Sequence, residues 1–142
     1  EADKNYNEIN KYKVEQEGEK VAIIALGDFY QRGKKLAESI AEKLGFKPTL
    51  INPRFATGLD NTLLNNLKDN HNIVITLEDG ILDGGFGQKI ASYFGNTNIK
   101  VKNYGLQKKF YDRYNPEELL KEEKMDSESI IEYIKRNINP II

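Results

Sequence analysis

An α/β fold, a doubly wound and mostly parallel sheet of about five strands with helices on both faces, is predicted by three observations. Val21-Ala22-Ile23-Ile24-Ala25-Leu26 is apolar at every position, as a strand covered on both faces must be. Segments with apolar residues at helical spacing alternate with such strands, which is the pattern of parallel pairing through crossover helices. Glycines follow the strands at Gly27 and at Gly84-Gly85-Phe86-Gly87, making junctions at the edge where open α/β sheets meet ligands and partners.

Each element has its own local cause. Residues 1–8 are polar and of mixed charge and read as a linker or arm, leaving residues 9–142 as one domain. Lys11 to Gln16 is a short strand that turns at Glu17-Gly18 into the apolar run. From Gln31 to Leu44 the residues Leu36, Ala37, Ile40, Ala41 and Leu44 lie on one helical face, with Gly45 as C-cap. Pro48 to Asn52 is the second main strand, and Asp60 can cap a helix carrying Leu63, Leu64 and Leu67. Ile73 to Leu77 is the third main strand; glycines then open a helix with Ile90, Ala91 and Phe94 inward, and Ile99 to Tyr104 is the fourth. Asn115-Pro116-Glu117-Glu118 starts a helix, and Asp126 introduces a last one with Ile130, Ile131, Ile134 and Ile138.

The 142 residues suit a single core. A formal net charge of −1 excludes the basic field that nucleic acid or an anionic membrane would require, so neither is expected as a partner. Cysteine is absent, which excludes disulfides and thiol chemistry and fits a reducing compartment. With no apolar run near the roughly 20 residues that span a bilayer, a cytoplasmic location is expected. Because Glu1 opens the chain and Met125 is its sole methionine, the chain is expected to be a piece of a longer product.

Thr76-Leu77-Glu78-Asp79-Gly80 followed by Gly84-Gly85-Phe86-Gly87, with Ile51-Asn52-Pro53-Arg54-Phe55 and Leu59-Asp60 upstream and Phe110 and Glu117-Glu118-Leu119-Leu120 downstream, resembles the closing domain of the transketolase superfamily. The match is closest to the 1-deoxy-D-xylulose-5-phosphate synthases and runs from about Ile9 to Ile138. Gly58 stands where that family usually has proline and Asp79 where a second glutamate is common. The resemblance implies a parent enzyme that uses thiamine diphosphate and magnesium to decarboxylate pyruvate and join two carbons to glyceraldehyde 3-phosphate, feeding isoprenoid, thiamine and pyridoxal synthesis. It also implies that the N-terminal and central domains of the same enzyme are the partners, within a homodimer. No catalytic, cofactor-binding or metal residue is assigned to this chain, since it lacks the Gly-Asp-Gly segment and following asparagine that hold the diphosphate and metal in the family. Alternatives are the equivalent domain of a 2-oxo acid dehydrogenase β subunit or of a transketolase, and a free-standing α/β ligand-binding module.

The candidate residues are therefore structural or interfacial: Arg54, Glu78, Asp79, Gly84, Gly85, Phe86 and Gly87. Glycines at a helix N-terminus can cradle a phosphate, but without P-loop or GxGxxG spacing tight packing is the favoured reading. Arg54 can clamp a substrate anion or, as favoured, pair with Glu78 or Asp79 across loops about 10 Å apart, because the second and third main strands should flank the first. His71, between Asp69-Asn70 and Asn72, reads as a solvated loop residue. Tyr104, Phe110, Tyr111 and Tyr114 read as aromatics packing a long loop onto the sheet.

Overall fold

Strands and helices alternate through the residues that the computed structural model describes, which are 11–26, 29–53, 59–79, 85–106 and 116–138. In chain order they are β1 (Lys13–Gln16), β2 (Lys20–Ala25), α1 (Tyr30–Leu44), β3 (Thr49–Asn52), α2 (Asn61–Leu67), β4 (His71–Asp79), α3 (Gly85–Tyr93), β5 (Lys100–Leu106) and α4 (Pro116–Asn137). The arm expected over residues 1–8, Gly27, Arg54, Gly58, Gly84, Phe110, Tyr111 and Tyr114 lie outside the described residues.

The strands form one sheet in the order β1-β3-β2-β4-β5. β2 is parallel to both β3 and β4, and β5 is parallel to β4, so the first main strand is flanked by the second and third as a doubly wound sheet requires. β1 adds an antiparallel edge against β3, with Lys13 opposite Asn52 and Val14 opposite Ile51. It cannot pair with β2, its neighbour in sequence, because both edges of that strand are already taken.

The unbroken apolar run of β2 is explained by its two neighbours in depth. Val21, Ile23 and Ala25 join Leu36, Ala37 and Ile40 of α1 and Ile130, Ile131 and Ile134 of α4 on one face. Ala22 and Ile24 join Leu64 and Leu67 after Asp60, and Ile90 and Phe94 of α3 and its end, on the other. Burying each isoleucine side chain contributes roughly 1.5–3 kcal/mol, so this strand anchors both layers. α1 stops at Gly45, whose φ of 82° is left-handed and whose N–H reaches the Ala41 carbonyl at 3.2 Å.

Two expectations are corrected. His71 is not in a solvated loop: it opens β4, pairs with Lys20 of β2 and is only 7% exposed. The strand starts there because the Lys20 N–H donates to the Asn70 carbonyl at 2.8 Å, extending the ladder back past Ile73. Nor does Asp126 begin a separate last helix; α4 is continuous from Pro116 to Asn137. Its interior holds neither glycine nor proline, and strong helix formers on both sides carry it through the Asp126-Ser127 cap signal.

Candidate functional site at the carboxyl edge of the sheet

The carboxyl ends of the parallel strands place Glu78 of β4, Asn103 of β5 and the start of α3 side by side. Glu78 is one residue from the strand end and 7% exposed. Its Oε2 accepts the backbone N–H of Gly87, in the first turn of α3, at 3.2 Å. A carboxylate suits that position, since the unpaired amides and the dipole of a helix N-terminus both favour negative charge. The amide that could have met a ligand phosphate is thus engaged by the protein's own acid.

Gly87 is itself buried, and the absence of a side chain is what lets α3 come this close. A Cβ there would run into Glu78 Oε2 and stand 2.8 Å from Asn103 Cγ. Asn103 in turn accepts the Thr76 hydroxyl proton on Oδ1 at 2.6 Å, so β4, β5 and α3 are joined by polar contacts at one point. Phe86, half-buried, packs in the layer of Ile90 and Phe94 and lies 6.1 Å from the Tyr12 ring, centroid to centroid.

Asp60 ties this edge to the sheet's antiparallel margin. Its Oδ1 accepts from the Leu63 N–H at 3.2 Å, capping α2 as the sequence suggests, while Oδ2 accepts from the Tyr12 N–H at 2.9 Å. Burial pushes the Tyr12 phenol up to about 12, with a backbone hydrogen bond from Asp60 opposing and the Asp60 charge adding to the rise. Nothing in the sequence singles out Tyr12, because its partner is 48 residues away.

Of the residues named from the sequence, Glu78, Phe86 and Gly87 gather at this edge, Asp79 closes β4 opposite Leu106, and Gly85 opens α3. Arg54 and Gly84 lie outside the described residues, and with them the expected Arg54 pair. Tyr104 packs against the α1 and α4 layer, where Lys102 Nζ sits 5.8 Å from its ring and 5.7 Å from that of Tyr133. Among the described residues, no helix is long and apolar enough to cross a membrane.

The same arrangement of strands and helices occurs in known proteins. A split gene transketolase, solved as an inactive beta4 tetramer, superposes with a TM-score of 0.69 at 19% identity, over 92% of this chain and 43% of that one. The 2-oxoglutarate:ferredoxin oxidoreductase from Magnetococcus marinus does so with a TM-score of 0.58 at 19% identity, over 96% and 21%. In sequence, the chain is 32% identical over 135 residues to a 1-deoxy-D-xylulose-5-phosphate synthase of Francisella tularensis subsp. novicida, covering 92% of this chain and 21% of that enzyme. It is 31% identical over 135 residues to the synthase of Clostridium tetani, covering 94% and 22%. The chain thus spans about a fifth of the length of the curated relatives it matches. Residues 10–130 match the family described as transketolase, C-terminal domain, and with that match over most of its length the chain belongs to this family.

Proposed function

We propose that this chain is the C-terminal domain of a 1-deoxy-D-xylulose-5-phosphate synthase, and that its role is to hold that enzyme together and support its dimer. The observation that carries the reading is the 32% identity to such a synthase over 92% of the chain. In this reading residues 1–8 connect to the preceding domains, which bind thiamine diphosphate and magnesium. The parent enzyme is cytoplasmic and transfers a two-carbon unit from pyruvate to glyceraldehyde 3-phosphate, for isoprenoid, thiamine and pyridoxal synthesis.

In this reading the cofactor is held by the preceding domains and not by this chain. The Gly87 amide, at the helix start that could face a diphosphate, is engaged by Glu78. In this reading no step of the reaction runs through this chain. Its residues act by fixing shape: Glu78 locks α3 to β4, and the edge so formed is a firm surface for the cofactor-bearing domains. Thiamine diphosphate would supply the carbanion chemistry from its own site.

Two measurements test the reading. Calorimetric titration of the 142-residue chain with thiamine diphosphate and magnesium should give no binding heat; a micromolar isotherm with one site per chain would overturn the assignment of the cofactor to other domains. The polypeptide encoded upstream of Glu1 together with this chain should form deoxyxylulose phosphate from pyruvate and glyceraldehyde 3-phosphate. Transfer to a lipoyl carrier instead would make the parent a 2-oxo acid dehydrogenase.

A further inference from the structure

At the opposite edge of the sheet, where the parallel strands begin, four segments meet in one line of hydrogen bonds. His71, the first residue of β4, has its Nδ1 3.1 Å from the carbonyl of Leu67, the last residue of α2. Its Nε2 lies 2.7 Å from the hydroxyl of Thr49, the first residue of β3. The N–H of Gly18, between β1 and β2, donates to that same hydroxyl oxygen at 2.9 Å. A carbonyl only accepts, so Nδ1 carries the ring proton and Nε2 of the neutral ring accepts the Thr49 hydroxyl proton. Donation therefore runs in one direction from Gly18 through Thr49 and His71 to Leu67.

The middle of the line, Thr49 and His71, is closed to solvent, and its Gly18 end is fixed by sterics. Thr49 is 4% exposed, so water cannot readily replace a lost partner. Gly18 can reach Thr49 only because it has no side chain: a Cβ there would stand 2.5 Å from the carbonyl carbon and oxygen of Pro48.

We propose that Gly18, Thr49, His71 and Leu67 form an acid-sensitive latch across the amino edge of the sheet, closed by the neutral Nδ1–H imidazole and loosened when Nε2 takes a proton. Protonation puts a hydrogen on Nε2 that points at Thr49 Oγ1. The hydroxyl must turn its own proton away from its acceptor inside a buried site, and Oγ1 must then accept from the Nε2–H and the Gly18 N–H together, which weakens the hold of the Gly18 turn on β3. Several charged side chains are carried by the segments around the ring: Glu17 and Glu19 in the turn, Lys20 of β2, Lys47 before β3, and Lys68 and Asp69 after α2, all exposed. Burial lowers the ring's pKa below its ordinary value, outweighing the Leu67 hydrogen bond and the Glu19 charge, both of which favour the charged form.

The sign follows. Between the unfolded pKa of about 6.5 and the lower folded value, the unfolded chain binds more protons. The latch thus contributes stability in full above the unfolded value, and that stability is lost as pH falls toward the folded one. The unfolding equilibrium constant should rise by up to about tenfold for each pH unit in that window.

Because the chain has a single histidine, its ring nitrogen resonances report this site alone. Nitrogen NMR of the 142-residue chain should show the Nδ1–H tautomer at pH 8, a titration midpoint below 6.5, and a Gly18 amide shift that moves with the same midpoint. Urea melts should weaken across the same window, and His71→Phe should abolish that weakening. An Nε2–H tautomer, a midpoint at or above the ordinary value, or a Gly18 amide indifferent to the titration would overturn the latch. The NMR readout uses the unaltered chain, so it decides even if His71→Phe does not fold.

Discussion

Gly87→Ala is the most direct test of how the carboxyl edge is built. The added Cβ would run into Glu78 Oε2 and sit 2.8 Å from Asn103 Cγ and 2.9 Å from its Oδ1. Asn103 is exposed but can swing aside only by giving up the buried Thr76 hydroxyl, and Glu78 is 7% exposed and is held by the very amide whose residue is being changed. Either α3 moves outward, an overpacking cost of about 1–3 kcal/mol, or the carboxylate leaves the Gly87 N–H, at a cost of about 1.5–3 kcal/mol for a charge-assisted bond. The two are alternatives and the cheaper sets the loss, about 1–3 kcal/mol, of which alanine's better helix propensity returns up to about 1. The net expectation is a destabilisation of about 1–2 kcal/mol, read as a lower urea midpoint at unchanged slope. Shortening the acid relieves the clash, so Gly87→Ala combined with Glu78→Ala should cost less than the sum of the single changes. Additive losses, or a Gly87→Ala protein as stable as the parent, would refute the idea that this contact sets the position of α3.

Asp60→Ala removes both the cap of α2 and the acceptor for the Tyr12 N–H, and should cost about 1–3 kcal/mol in the same melts. Asp60→Asn keeps one oxygen and should recover part of the loss. The Tyr12 phenol, pushed up to about 12, should ionise last among the described tyrosines in an ultraviolet titration. A raised acid pKa means the folded state holds its proton longer, so its stabilisation is complete below the unfolded value of about 10 and is lost as pH rises through 12. An early, ordinary titration of every phenol would remove this reasoning.

What could be read from the sequence divides along physical lines. β2 was legible because a strand covered on both faces needs no periodicity, only apolar residues such as Val21 to Ala25. Gly45 and Asp60 were legible because a helix end makes local demands that few side chains meet. His71 was misread because Asp69, Asn70 and Asn72 around it are polar, whereas its burial depends on Thr49, 22 residues away. Glu78 stood out by type, but its contact with Gly87 is made nine residues further along the chain, which residue pattern does not encode. In α4, Asp126 has the chemistry of a cap, yet a cap signal stops nothing when the helix on both sides is favourable.

The strand order has a consequence for how copies of this fold can meet. A parallel sheet is extendable in principle wherever an outer strand leaves its backbone groups unpaired, and among the described residues the two outer strands are β1 and β5. β1 is only four residues long, with Lys13 and Glu15 joined at 3.6 Å along it and a register shift between Val14 and Gln16. β5 carries exposed Lys100 and Lys102, two cations two positions apart at its start. Shortness, irregular register and lysine are the features by which natural sheets resist adding a foreign strand. Assembly of larger structures from this domain is therefore directed away from sheet continuation and onto helix faces and strand ends, where side chains can discriminate between partners as bare backbone cannot.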